Sequence, residues 1–258
     1  VTKPAVALGS RLARVPWVRT LGVRPNLEDY PAADLALIQD APVIYYPTQH
    51  YAGLFRAQGK RIFPSLTCHL LLGDKIKQTT LFRLQGVPHP LTRFYYHSQR
   101  GRIRDEFDYP FVAKTPRDSS RGEGVFLIRN EADLDRYLAR HPVAYIQRYL
   151  PEADNLRVVA VNFRPVTAYW RTPRPGDWRA NVHAGATISF DNVPEAALRL
   201  AADTARACDL DEVGLDLARS HGQWYVLEAN MKFGWVGLRA AGVDLARVVG
   251  DLIRTGEI

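Results

Sequence analysis

The stretch VGLDLARSHGQWYVLEAN (213–230) reads as two strands folded back on a single turn. Apolar and polar residues alternate on each flank, as a half-buried strand requires, and Ser220-His221-Gly222 supplies turn chemistry between them. A hairpin closing on that turn sets Arg219 opposite Tyr225, Leu217 opposite Leu227 and Asp216 opposite Glu228. Side chains alternate faces along a strand, so Leu215, Leu217, Leu227 and Ala229 point one way while Asp216, Glu228 and Asn230 point the other. Opposed carboxylates on one sheet face repel unless a positive charge sits between them. A hard divalent cation with oxygen ligands, Mg rather than a tightly caged Ca, removes that conflict and makes Asp216, Glu228 and Asn230 candidate metal ligands. The alternative is an exposed sheet face on which solvent screens both acids.

The rest of the chain is that of an ordinary globular protein. Its 258 residues suffice for one large domain or two small ones, and 47% hydrophobic with 24% charged residues is a normal balance. A net charge of +7 points to an anionic partner without choosing among nucleotide phosphates, acidic peptides and nucleic acid. Cys68 and Cys208 lie far apart, without metal-ligand spacing, which fits a reducing compartment. Arg11, Arg14, Pro16 and Arg19 interrupt the N-terminal apolar residues, so no signal peptide is expected there, and no later run is long enough for a bilayer. Cytoplasmic location is the expectation.

Neither an internal repeat nor a low-complexity tract is visible, and residues 1–40, rich in Pro and Arg, carry no readable pattern. Val43–Tyr46, a helix over His50–Gln58 ended by Gly59, and Ile62-Phe63 form a small β-α-β-like unit. Asp74 caps a helix running to Leu84, with Gly86 as its stop. After a charged, aromatic connector at 93–109 come strand patterns at 111–114, 124–128, 143–149, 156–163 and 165–171. Helices are expected over 131–140, capped by Asn130, over 194–208 and over 243–253. The mixed order indicates an α+β or mixed α/β fold.

Two groups of residues suit phosphate. Lys114 ends the strand FVAK and is followed by TPRDSSRGEG (115–124), a loop in which Ser120, Gly122 and Gly124 let backbone N–H groups approach an anion. The string is not a Walker loop, and by itself is as well read as a mobile hairpin tip; Lys75, in the first turn of a helix, is by itself a solvated lysine. Arg171, Arg174, Arg179, Asn181 and His183 cluster in WRTPRPGDWRANVHAG (170–185), where guanidinium forks suit carboxylate or phosphate.

In this order the motifs resemble the ATP-grasp superfamily, and within it the RimK-type glutamate ligase group, over about residues 73–258. Asp74-Lys75 resembles the first nucleotide lysine, Lys114 the second, and 119–124 the flap. Gln147, Arg148, Tyr149 and Leu150 resemble the hinge that meets adenine and ribose, Asn155 and Arg157 the positions after it, and WRAN (178–181) the R-x-N motif; Arg179 and Asn181 of that motif, with Arg171 before it, are the expected catalytic side chains. Asp216, Glu228 and Asn230 match the metal set D…E-x-N. The resemblance implies two α+β lobes with antiparallel sheets gripping ATP and Mg, preceded by a short α/β segment over 1–72. It further implies a carboxylate phosphorylated by ATP and then captured by an amine or peptide acceptor. Three positions depart from the pattern: MKFGW (231–235) follows the last metal residue, Arg148 replaces an acid, and Asn155 replaces an aspartate.

Three readings compete. The first is an ATP-dependent carboxylate–amine ligase. The second is an ATP-binding regulatory or scaffolding module without ligation. The third is a nucleic-acid binder using the arginines and tyrosines of 93–109, weakened by Asp105, Glu106 and Asp108 in the same stretch. A homo-oligomer stays open, and neither the acid nor the acceptor is named by the sequence.

Overall fold

The computed structural model describes residues 4–119, 124–151, 154–174 and 186–258, folded around three sheets. The first is wholly parallel. It contains β1 (Ala5–Ala7), β2 (Val18–Thr20), β3 (Val43–Tyr45) and β4 (Arg61–Phe63) in the order β2-β1-β3-β4, with α1 (Ala32–Asp40) and α2 (Thr48–Ala57) in the crossovers. The unit β3-α2-β4 matches the sequence reading. β1 and β2 escaped it because they lie in the Pro- and Arg-rich stretch 1–40, where no apolar run stands out.

After α3 (Leu66–Leu71) and α4 (Lys75–Leu84) comes an antiparallel sheet of order β5-β8-β6-β7. Its strands are β5 (Thr92–Tyr95), β6 (Phe111–Lys114), β7 (Val125–Ile128) and β8 (Ala144–Arg148). α5 (Ile103–Glu106) precedes β6 and α6 (Glu131–Arg140) follows β7, capped by Asn130 Oδ1 accepting from the Asp133 amide at 3.0 Å. β5 lies inside the expected connector. The basic groups there are engaged locally: Arg93 and Arg102 each pair with Glu106 at 2.7 Å, Arg104 pairs with Glu131 and Asp135, and Arg100 donates to the Leu138 carbonyl. Such a surface offers little unsatisfied charge to nucleic-acid phosphates.

The third sheet holds β9 (Asp154–Val161), β10 (Arg164–Thr172), β11 (Thr187–Ser189), β12 (Glu212–Ser220) and β13 (Gln223–Asn230) in the antiparallel order β11-β10-β9-β12-β13. α7 (Glu195–Ala207) covers one face, packing Ala197, Ala201 and Ala205 with Leu156, Val158, Leu215 and Leu217. The opposite face carries the polar residues discussed below and, further along, meets α8 (Val236–Ala240) and α9 (Leu245–Thr255).

The β12–β13 hairpin pairs Asp216 with Glu228, Leu215 with Ala229 and Gly214 with Asn230, as its alternation predicts. Nearer the turn the register differs by one: Leu217 pairs with Val226 and Arg219 with Trp224. The cause is a two-residue turn, His221 (φ 48°) and Gly222 (φ 79°), flanked by the Ser220–Gln223 pair, instead of the three-residue turn expected. Two successive positive φ values give the tight turn that matches strand twist. An irregularity between Asp216 and Leu217 then absorbs the extra residue. Val226 rather than Leu227 therefore joins Leu217 and Ala229 in the core.

Residues 4–72 share an apolar core with the C-terminal helices. Ala7, Tyr45 and Phe63 cluster with Val159, Val161, Leu245 and Val249. Trp17 Nε1 donates to the Gly250 carbonyl at 2.9 Å, and the Tyr45 hydroxyl donates to the Ile258 carbonyl at 2.9 Å. No helix among the described residues is long and apolar enough to cross a membrane.

Candidate active site

Strand alternation sorts the polar residues of the third sheet. Asp216 pairs with Arg157 on β9, Arg157 with Tyr169 on β10, and Asp216 with Glu228 on β13, so all four share one face. Arg171 and Asn155 lie two residues further along the same face. Gly214, between Asn230 and Val159, admits no side chain: a Cβ there would stand 2.8 Å from Phe233 Cβ and 3.1 Å from an Arg157 nitrogen. Close passage of the MKFGW segment over the sheet thus depends on this glycine.

Asp216 is the hub. Its carboxylate accepts from Arg157 Nε at 2.5 Å and Nη2 at 3.1 Å, from Arg171 Nη2 at 2.7 Å, and from Asn230 Nδ2 at 3.2 Å. Burial pushes the carboxyl up, but the two guanidinium groups outweigh it and hold Asp216 below the usual carboxylate range. Burial also pulls the Arg171 guanidinium down, opposed by Asp216. Arg171 further donates Nε to Asn155 Oδ1 at 2.7 Å. The sequence posed the problem of two opposed carboxylates. Here positive charge from the protein itself answers it: arginines at Asp216, and Lys75 Nζ at 3.4 Å from Glu228 Oε1.

Lys75 is not the solvated lysine that a first helical turn suggests; it is 5% exposed. Asp74 caps α4 by accepting from the Lys77 amide at 3.0 Å and pairs with Arg117 Nε at 3.0 Å. The Lys75 amide donates to the Pro116 carbonyl at 2.9 Å, and the Asp118 amide donates to Gly73 at 3.0 Å. The start of α4 and the stem of the expected flap are thereby stitched together, and Lys75 Nζ donates to Ser119 Oγ at 3.1 Å. Gln78, one turn on, accepts from the Ala229 amide at 3.2 Å, which holds α4 against β13.

Lys114 approaches from the other lobe. Its Nζ lies 5.7 Å from the centre of the Tyr145 ring and donates to the Leu227 carbonyl at 3.4 Å. Burial lowers its pKa, partly offset by Glu228. Gly124 closes the flap stem, since a Cβ there would meet Ser119 and Thr115 within 2.8 Å. Gln147 shares the Lys114 face of its sheet, is buried, and donates to Thr92 Oγ1 at 3.0 Å. Arg148, the next residue, is exposed, its side chain on the face opposite Lys114; Tyr149 and Leu150 continue past the strand end, half-buried.

Lys75, Lys114, Glu228 and Asp216 therefore converge from four elements, with Arg157, Arg171, Asn155 and Asn230 beside them. Ser120, Gly122, Arg179, Asn181 and His183 lie outside the described residues. Sequence reasoning left out the supporting groups Gln78 and Tyr145, whose signal is purely spatial, while Ser119 belongs to the expected flap. It also left out Glu212, fully buried on the Asp216 face, bonded to the Tyr46 hydroxyl and 3.0 Å from Arg11. The even spacing of Glu212, Gly214 and Asp216 on one strand was the available clue.

The oxygen set Asp216, Glu228 and Asn230 suits a hard cation. Asn230 donates its Nδ2 to Asp216, so its Oδ1 is the ligating atom available, and Glu228 contributes a carboxylate on the adjacent position.

A RimK-like ATP-grasp domain matches residues 69–253. The chain belongs to the RimK-like ATP-grasp family. A probable alpha-L-glutamate ligase of Aeromonas salmonicida is 29% identical over 182 residues, which cover 67% of this chain and 61% of the relative. The ribosomal protein bS6–L-glutamate ligase of Escherichia coli O139:H28 is 28% identical over 192 residues, covering 70% and 62%. This RimK-like chain thus spans about three-fifths of the length of these relatives. The crystal structure of a RimK domain ATP-grasp protein from Sphaerobacter thermophilus superposes with a TM-score of 0.69 over 96% of this chain and 98% of that one, at 16% identity. The α+β ATP-grasp fold expected from the motifs is therefore the fold observed.

Proposed function

We propose that this RimK-like chain is an ATP- and Mg-dependent carboxylate–amine ligase working through an acylphosphate. The observation that supports the reading best is the convergence of Lys75, Lys114, Arg157 and Arg171 on Asp216, Glu228 and Asn230. Phosphoryl transfer demands positioning and charge neutralisation above all, and these cations suit a polyphosphate chain laid between the two antiparallel sheets. Asp216, Glu228 and Asn230 would hold Mg, which supplies further positive charge to the phosphate oxygens. Lys75 and Lys114 bind phosphate oxygens, and Gln147 to Leu150 border the base. Arg171, oriented by Asn155 and Asp216, steadies the reacting carboxylate or the transferred group.

A carboxylate oxygen of the acid substrate attacks the γ-phosphorus and ADP leaves. The amine acceptor then attacks the acyl carbon, loses a proton and expels inorganic phosphate. The flap stem is tied to Gly73, Asp74 and Lys75, and shielding the acylphosphate from water is the role proposed for the flap it carries. Both cysteines are free and buried, which suits a reducing compartment, and we place the protein in the cytoplasm.

Binding without turnover is the second reading, favoured by nothing beyond the nucleotide site itself. ADP release measured with and without candidate acids separates the two. Glu228→Gln keeps the shape and removes one charge. It should leave the protein folded and cut ADP release at least about tenfold, the scale of a lost charge-assisted contact. Unchanged release in that variant would remove Glu228 from the reaction.

A further inference from the structure

We infer that the acyl substrate carries a large apolar, preferably aromatic, side chain, seated on a shelf formed by Phe190, Trp235 and Val236 beside the cationic site. This rests on the ligase reading above and names its substrate class.

The shelf is built around Tyr169. Tyr169 pairs with Arg157 in the sheet, two residues before Arg171, and its side chain shares the face of the reactive cluster. Its ring lies 5.9 Å from that of Phe190, centre to centre. On the other side it rests on Gly237, where an added Cβ would lie only 2.1 Å from ring carbons. Trp235 and Val236 directly precede that glycine. The guanidinium of Arg11 stacks over the Trp235 ring at 4.9 Å and over Tyr46 at 5.2 Å. Phe190, Trp235 and Val236 stay 39%, 44% and 48% exposed, whereas Tyr169 is only 4% exposed. Large apolar surface gathered at the margin of a reactive site, on a firmly packed support, is what an apolar ligand group requires.

Charge bears on the same point. A glutamyl side chain would need a cation on this shelf, and among the described residues Arg11 is held by buried Glu212, and Arg157 and Arg171 by Asp216. Lys232 is exposed, where a lone ammonium gives a carboxylate little. The MKFGW run supplies Trp235 to the shelf, and its Phe233 packs inward over Gly214.

Calorimetry on the full chain saturated with Mg and the non-hydrolysable analogue AMPPNP tests this. N-acetylphenylalanine and N-acetylglutamate can enter only as acids, phenylalaninamide and isoglutamine only as amines. N-acetylphenylalanine should bind at least about tenfold more tightly than N-acetylglutamate, as expected for covering roughly half a ring. That preference should fall below about threefold in Trp235→Ser and in Phe190→Ser, with AMPPNP affinity unchanged in both. Equal or tighter binding of the glutamate compound, a preference that survives both substitutions, or no binding of either acid overturns the inference. A preference confined to the amine pair assigns the shelf to the acceptor and overturns the acyl assignment. ADP release is measured separately: absent release with every acid, alongside an intact binding preference, defeats the ligase reading and leaves the shelf standing.

Discussion

Asp216→Asn probes the hub of the site most directly. The carboxylate neutralises two guanidinium groups whose side chains are 9% and 7% exposed, while its own is 14% exposed. Asparagine keeps the shape but replaces one acceptor oxygen with an N–H₂ group that faces arginine donors, leaving two buried cations without an anion. Removing one partner of a buried ion pair costs about 3–5 kcal/mol. For a chain of this size each kcal/mol moves the melting temperature by about 2–4 °C, so a fall of roughly 6–20 °C is expected at pH 7.5. The sign with pH follows from the depressed Asp216 pKa. Its stabilisation is fully present above the unfolded value of about 4 and is lost as pH falls through the lower folded value. The gap between variant and wild type, read by scanning calorimetry, should therefore be constant from pH 7.5 to about 5 and shrink below about 4. A gap under 2 °C at pH 7.5, or one that persists undiminished in acid, would refute the assignment of Asp216 as the counter-ion of Arg157 and Arg171.

Other consequences can be measured alongside. Lys114→Met should weaken ATP-analogue binding by about 1–3 kcal/mol in calorimetry while leaving the protein at least as stable, because the replaced ammonium is desolvated by burial. Gly237→Ala drives a Cβ into the Tyr169 ring and should lower the urea midpoint by an amount equivalent to about 1–3 kcal/mol; the further change Tyr169→Ala should recover part of that loss relative to Tyr169→Ala alone. Asp211, raised to about 7 by burial, takes up a proton on folding across the range from about pH 4 to about 7, so its contribution to stability declines as pH rises through that window. Asp211→Asn should abolish this decline, read as a flatter plot of melting temperature against pH.

The hairpin 213–230, its facing carboxylates and the helix capped by Asp74 were legible in the sequence, because alternation, turn residues and caps act over a few residues. The order of the motifs likewise pointed to ATP-grasp before any coordinates. β1, β2 and β11 were not legible, since they sit among Pro, Arg and polar residues and their pairing depends on neighbours rather than on their own pattern. The bulge that shifts Leu227 out of the core was also hidden: a two-residue turn and a fixed Asp216–Glu228 pairing together require it, and neither half of that conflict is visible alone. Local chemistry thus determined which residues could bind phosphate and metal. Only the tertiary structure decided that Lys75 is buried against Glu228, that Asp216 serves two arginines, and that Phe190 and Gly237 both meet the Tyr169 ring. Those outcomes come from packing elements tens to hundreds of residues apart, and burial sets the charge partners that a linear pattern leaves undetermined.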